Sequence, residues 1–161
     1  MGRWIPEASF RKFLSAMPVC TVDVALLAPD YSRALLFKRS IPPLEGCWFT
    51  LGGRLWKDET LRDCAVRQAE VEAGLQLDRS RLVFGGAFDE IHDESRFGRE
   101  VTYHCVNVCW GYVLSGDPAI RLDRQHREYE WRPLTAPDHH PFLVRKLAAA
   151  QSALRDQSPE V

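Results

Sequence analysis

The segment GGRLWKDETLRDCAVRQAEVEAGL, Gly52–Leu75, concentrates residue types that bind phosphate and metal. Its two leading glycines allow close approach of backbone to a ligand. Arg54 follows at once, and a guanidinium can hold a phosphate through two parallel hydrogen bonds. Further on, Gln68 and Glu72 stand four apart and would share a helix face. Arg67 and Glu70 stand three apart and could pair, so Arg67 reads equally as a structural residue or a phosphate-facing one. A carboxylate projecting toward a Gly-Gly loop suits Mg²⁺, which takes one or two protein carboxylates together with phosphate oxygens and water. Asp23 lies in an apolar run, where a buried carboxylate needs a partner.

Such residues act only if secondary structure positions them. Thr60 through Ala73 contains no Gly or Pro and reads as a helix. Asp58 and Thr60 are both candidate N-caps, Thr60 with Asp63 fits a capping box, and Gly74 stands where a C′ glycine ends a helix. Leu61, Ala65 and Ala69 form a small apolar stripe suited to close packing on a sheet. Residues 21–28, 34–39, 81–90, 101–114 and 128–134 are rich in β-branched and aromatic types and read as strands. Segments PDYSR, SIPPLEG and HDESRFGRE carry the punctuation of loops. Residues 5–16 read as a short helix with Phe10 and Phe13, and Pro141–Arg155 as a longer one, with a frayed tail DQSPEV. The sum is an α/β chain: a mixed sheet covered by helices, with a functional loop–helix in the middle.

Bulk properties narrow the class. A chain of 161 residues suggests one domain, residues 1–161, able to bury a core without disulfides. A formal net charge of −1 gives no field for nucleic acid or an anionic membrane, so anion binding must come from local arginines. The five cysteines include no C-x-x-C pair, which disfavours a zinc site or disulfide framework and suits a reducing, cytoplasmic setting. The most apolar stretch, residues 101–114, is too short and too polar to span a bilayer.

The spacing in Gly53–Leu75 resembles the Nudix box: a Gly, five residues, a Glu, seven residues, then R-E-U-x-E-E-x-G-U with U apolar. Glu59, Arg67, Ala69, Glu72, Gly74 and Leu75 fall on their places. Gln68 and Val71 stand where two metal-holding glutamates are expected. Such losses are shared by one subfamily, the GDP-mannose mannosyl hydrolases. KRSIPPLEGCWFTLGGRLWKDETL, FGREVTYHCVNV and DRQHREYEW are similar to that subfamily over roughly residues 10–135.

The resemblance implies a Nudix-type α/β/α sandwich with a central mixed sheet and a loop–helix–loop catalytic segment. It implies hydrolysis of GDP-mannose, or GDP-glucose, to GDP and free hexose, by water attack at sugar C1 with inversion. One Mg²⁺, with Mn²⁺ as an alternative, would be held by the Gly52 carbonyl, Glu72 and Gln125. His126 would act as general base and Arg39 would steady the leaving group. Arg54 and Arg67 would lie near the diphosphate, Asp23 near the sugar, and Phe10 among the substrate-binding residues. A homodimer, through the segment around Phe10, is expected on the same ground.

Cys105 replaces a tyrosine that contacts the diphosphate in the subfamily, and DEIHDES (89–95) departs from its pattern. Neighbouring strand residues face opposite ways, so Gln125 and His126 are expected on a loop that lets both reach one site. His104 is expected to be a satisfied core or interface histidine, and His92, His139 and His140 loop residues. Two other readings stand beside the first: a pyrophosphatase cutting a P–O bond of an ADP-sugar or nucleoside triphosphate, and a catalytically weak domain that binds a nucleotide sugar.

Overall fold

A computed structural model describes residues 4–157. Ten elements follow one another: α1 (Glu7–Ala16), β1 (Val19–Leu27), β2 (Arg33–Arg39), β3 (Trp48–Phe49), β4 (Leu51–Arg54), α2 (Leu61–Ala73), β5 (Val83–His92), β6 (Tyr103–Val113), β7 (His126–Pro133) and α3 (Pro141–Gln157). A short 3-10 turn, Arg79–Arg81, leads into β5. The expected tail falls partly inside α3, which runs to Gln157; residues 158–161 lie outside the described residues.

The strands form one mixed sheet in the order β3-β2-β1-β6-β5, with β4 also pairing β1 and β7 also pairing β2. Only β1 and β6 run parallel; the other pairs are antiparallel. β1 is the centre and is buried on both faces, in keeping with its largely apolar run, which only Thr21 and Asp23 interrupt. Val22, Val24 and Leu26 face α2, whose Cys64, Ala65, Ala69 and Ala73 let the helix lie close. The alternate residues Ala25 and Leu27 face α3, through Leu143, Leu147 and Ala150. The result is the helix–sheet–helix sandwich expected from the sequence.

The α2 boundaries agree with the local signals. Thr60 is the N-cap, its hydroxyl accepting from Asp63 N–H at 3.2 Å, and Gly74 closes the helix with φ 70°. Asp58, the other candidate cap, instead takes a positive φ of 64° in the preceding turn.

The Gly-Gly segment differs from expectation. It is not loop but strand β4, paired to β1 with Asp23 opposite Gly52 and Val22 opposite Gly53. A Cβ on Gly52 would stand 2.1 Å from Asp23 Oδ1, and one on Gly53 would stand 2.0 Å from Gln68 Nε2. Gly52 has no room for a side chain, since the Val22 carbonyl also lies 2.6 Å from that Cβ, whereas at Gly53 the space is taken by the end of the Gln68 side chain.

Candidate active site

A cavity of about 690 Å³ opens at one end of the sheet. β4 supplies Gly52, Gly53 and Arg54, β1 supplies Asp23, the end of β2 supplies Arg39, and α1 closes one side with Phe10. Gln125 reaches it from the turn before β7. Six of the nine site residues expected from the sequence therefore line one cavity around two of its edges: Phe10, Asp23, Arg39, Gly52, Arg54 and Gln125. Glu72, Arg67 and His126 are not among its lining residues.

Glu72 is the carboxylate expected to hold a metal. It points from α2 to β4, where Gly52 N–H donates to its Oε2 at 2.9 Å, and it is 3% exposed. Burial pushes its carboxyl up to about 8; the Gly52 N–H opposes this, while Asp123 and Asp23 add to it. A desolvated carboxylate among other acids is the environment a cation would relieve. The oxygen donors at hand, from Gly52, Glu72 and Gln125, are hard ligands of the kind Mg²⁺ or Mn²⁺ takes. These residues fit a divalent ion, though nothing else on α2 adds a carboxylate to it. Gln68 is buried with its amide against Gly53, and Val71 is 58% exposed.

Arg67 pairs with Glu59, not with Glu70. The guanidinium grips both carboxylate oxygens, at 2.6 and 2.8 Å, and lies 3.5 Å over the Trp56 ring. A further N–H donates to the Arg54 carbonyl at 3.2 Å, which ties β4 to the helix. Burial alone would raise the Glu59 carboxyl, but the Arg67 hydrogen bonds and charge, with Trp56 N–H, hold it below the usual carboxylate range. Glu70 is bonded instead by Gln76, at 2.8 Å.

Gln125 lies in the turn before β7, as expected, but β7 begins at His126 and not two residues later, so His126 is fixed in the strand and the two side chains part. Gln125 faces the cavity, whereas the His126 side chain is 1% exposed and stands edge-on to Phe37. Asp123 joins them. Its carboxylate accepts from Gln125 N–H and lies 2.9 Å from His126 Nδ1, and its Oδ2 accepts from the Gln125 amide at 3.2 Å. Nε2 of His126 is buried with no hydrogen-bond partner. Burial lowers the His126 pKa against the raising effect of Asp123, so the ring is neutral near pH 7. Asp123 stood in the D-x-Q-H segment without a role; its part follows from the turn that precedes β7.

The cavity floor contains a buried charge cluster. Lys146 of α3, wholly buried, bonds Asp23 Oδ2 and lies 2.8 Å from Glu90 Oε1. Asp23 also accepts from Thr50 at 2.6 Å and Asn107 at 2.8 Å. Burial would lower the Lys146 pKa, but the Asp23 and Glu90 charges raise it, so the ammonium persists. Beside it lie Cys105, whose thiol burial pushes up to about 12, and His92. His92 is buried on β5, not in a loop, opposite Tyr103 of β6, whereas His104, opposite Ile91, is only half-buried, 3.9 Å from Asp89. Tyr103 lines the cavity two residues from Cys105, bringing a phenol close to where Cys105 has none. Lys146 carried one visible signal: it interrupts the apolar stripe Leu143, Leu147, Ala150, Leu154.

Fold and cavity together define a Nudix hydrolase, and the chain belongs to that family: the NUDIX domain profile matches residues 17–151. It is 29% identical over 146 residues, 90% of each chain, to the low-salt glycan biosynthesis protein Agl8 of Haloferax volcanii. The fold is shared with the MutT Nudix hydrolase of Burkholderia pseudomallei, with a TM-score of 0.62, 24% identity, and 88% of this chain and 99% of that one covered. It is shared also with the Nudix domain of Shewanella oneidensis NrtR, solved with ADP ribose, with a TM-score of 0.63, 20% identity, and 96% and 100% covered. Nudix hydrolases generally use divalent metals such as Mg²⁺ or Mn²⁺. No helix among the described residues is long and apolar enough to cross a membrane.

Proposed function

We propose that this Nudix hydrolase acts on a nucleotide sugar, GDP-mannose or GDP-glucose, releasing GDP and free hexose by water attack at sugar C1 with inversion. The observation that carries this reading is the single α2 carboxylate, Glu72, turned to the Gly52–Gly53 strand, with Gln68 neutral and Val71 turned to solvent. One ion beside Glu72, Gly52 and Gln125 suits charge neutralisation of a leaving diphosphate better than the crowding of several metals around an attacked phosphorus. The glycan-related name of the Haloferax relative points to the same substrate class.

The roles follow from position. Arg39 and Arg54 flank the cavity and would neutralise the diphosphate as C1–O breaks. Asp23, paired with Lys146, faces the hexose, where a carboxylate favours an oxocarbenium-like carbon. His126, oriented by Asp123 and neutral, takes the proton of the attacking water through Nε2. This role requires the start of β7 to turn Nε2 toward the cavity when ligand enters. Residues 1–161 act as one domain in this reading, in the cytoplasm, as a homodimer without nucleic acid or membrane partners.

The burial of His126 favours a second reading: cleavage of a P–O bond in a nucleoside diphosphate sugar, which needs no base at that position. Incubation with GDP-mannose and Mg²⁺, followed by product identification, separates the two. GDP and hexose support C1 attack. GMP and hexose 1-phosphate refute it, and binding without turnover of any nucleotide sugar refutes both.

A further inference from the structure

Three donors outside the Nudix segment converge on the cavity floor. Glu90 and His92 are two apart on β5 and share a face, and Glu90 lies directly opposite Cys105 on β6. Strand register therefore brings them together before any side-chain contact forms. Glu90 Oε2 is the shared vertex, 3.7 Å from His92 Nε2 and 3.9 Å from Cys105 Sγ. All three donor atoms lie within 4.8 Å of one another, and all three residues are buried and line the cavity. A tetrahedral ion bound at ~2.0–2.3 Å sets ligand separations of roughly 3.3–3.7 Å, so small side-chain rotations close this triangle.

Charge points the same way. Lys146 sets one ammonium against two carboxyl groups, Asp23 and Glu90, so within this buried cluster formal negative charge is in excess, with Arg39, Arg54 and Arg96 further along the cavity wall. It engages Glu90 through Oε1, which leaves Oε2 to face His92 and Cys105. A divalent ion that takes Cys105 as thiolate brings two positive charges against one new negative and cancels that excess.

We propose that Glu90, His92 and Cys105 form a second cation site, for a borderline-soft divalent ion of the Zn²⁺ class, with its fourth position open to the cavity. Its imidazole and thiolate donors set it apart from the hard oxygens around Glu72. On binding, the S–H bond of Cys105 gives way to a metal–sulfur bond, the proton leaves to solvent, and no electron is transferred. The open position takes a water or a hydroxyl oxygen of the molecule in the cavity. The inference stands apart from which bond the enzyme cuts.

Co²⁺ titration of the full chain in excess Mg²⁺ tests it. The expected result is a thiolate-to-Co²⁺ charge-transfer band that saturates at one equivalent and is erased by Zn²⁺. Cys105→Ser should abolish the band, and His92→Gln should weaken Zn²⁺ binding by at least ~10–100-fold, the loss that even outer-sphere partners cause. Cys47→Ser and Glu72→Gln should retain the band. Circular dichroism of each variant guards against misfolding, and the wild-type spectrum needs no variant. No band in the wild type, a band that survives Cys105→Ser, or one lost in Cys47→Ser overturns the site.

Discussion

At the scale of single residues, Glu72 and Arg67 sit on one helix with opposite tasks, Arg67 reaching back to Glu59 in the turn before it. Glu72 faces the cavity wall with one backbone donor, a carboxylate kept in want of a cation. Replacing it by Gln keeps the shape and the Gly52 hydrogen bond. Turnover at fixed Mg²⁺ is expected to fall at least ~10²-fold, with unfolding unchanged or shifted to higher temperature. Glu59 and Arg67 instead hold β4 to α2. Glu59→Gln is expected to destabilise by up to about 3–5 kcal/mol, the cost of leaving one buried charge of a pair alone, in urea unfolding at pH 7. Because Glu59 is held below its unfolded pKa of about 4.3, its contribution is complete above that pH and fades as pH falls through the lower folded value. The wild-type and variant stabilities should converge in that acid range. His126→Gln should cost about 10²–10⁴-fold in kcat if it is the base, while leaving nucleotide binding, measured by calorimetry, nearly unchanged.

Elements explain why some of this was legible in the sequence and some was not. The α2 helix was readable because its signals are local: Thr60, Asp63 and Gly74 act within a few residues of one another. β4 was not, because Gly52 and Gly53 have poor strand propensity and their partner, β1, lies some thirty residues earlier. Lys146 broke an apolar stripe in plain view, but its carboxylates come from strands β1 and β5. The Gln125–His126 pair was expected on one loop because the strand was read from residue 128, whereas β7 already begins at His126. The glycine contacts allow an ordering. Gly52→Ala drives a Cβ to 2.6 Å from the Val22 carbonyl as well as into Asp23, whereas Gly53→Ala meets the end of the flexible Gln68 side chain. Gly52→Ala should therefore destabilise more, by ~1–3 kcal/mol, than Gly53→Ala in thermal unfolding.

Across the whole molecule, one face of the sheet carries the Nudix helix and the other the buried Lys146 cluster, and the cavity opens where both reach the strand ends. The α2 side contributes Glu72, and the charged floor comes from the α3 side. A cleft so divided suits a substrate with a diphosphate at one end and a polar sugar at the other. The bond that is cut therefore depends on which end of the substrate meets the attacking water. The most direct test is one turnover of GDP-mannose in water labelled with the heavy oxygen isotope, read by mass spectrometry. C1 attack predicts the label in the released hexose and unlabelled GDP. Label in a phosphate of the products, with hexose 1-phosphate formed, would contradict it.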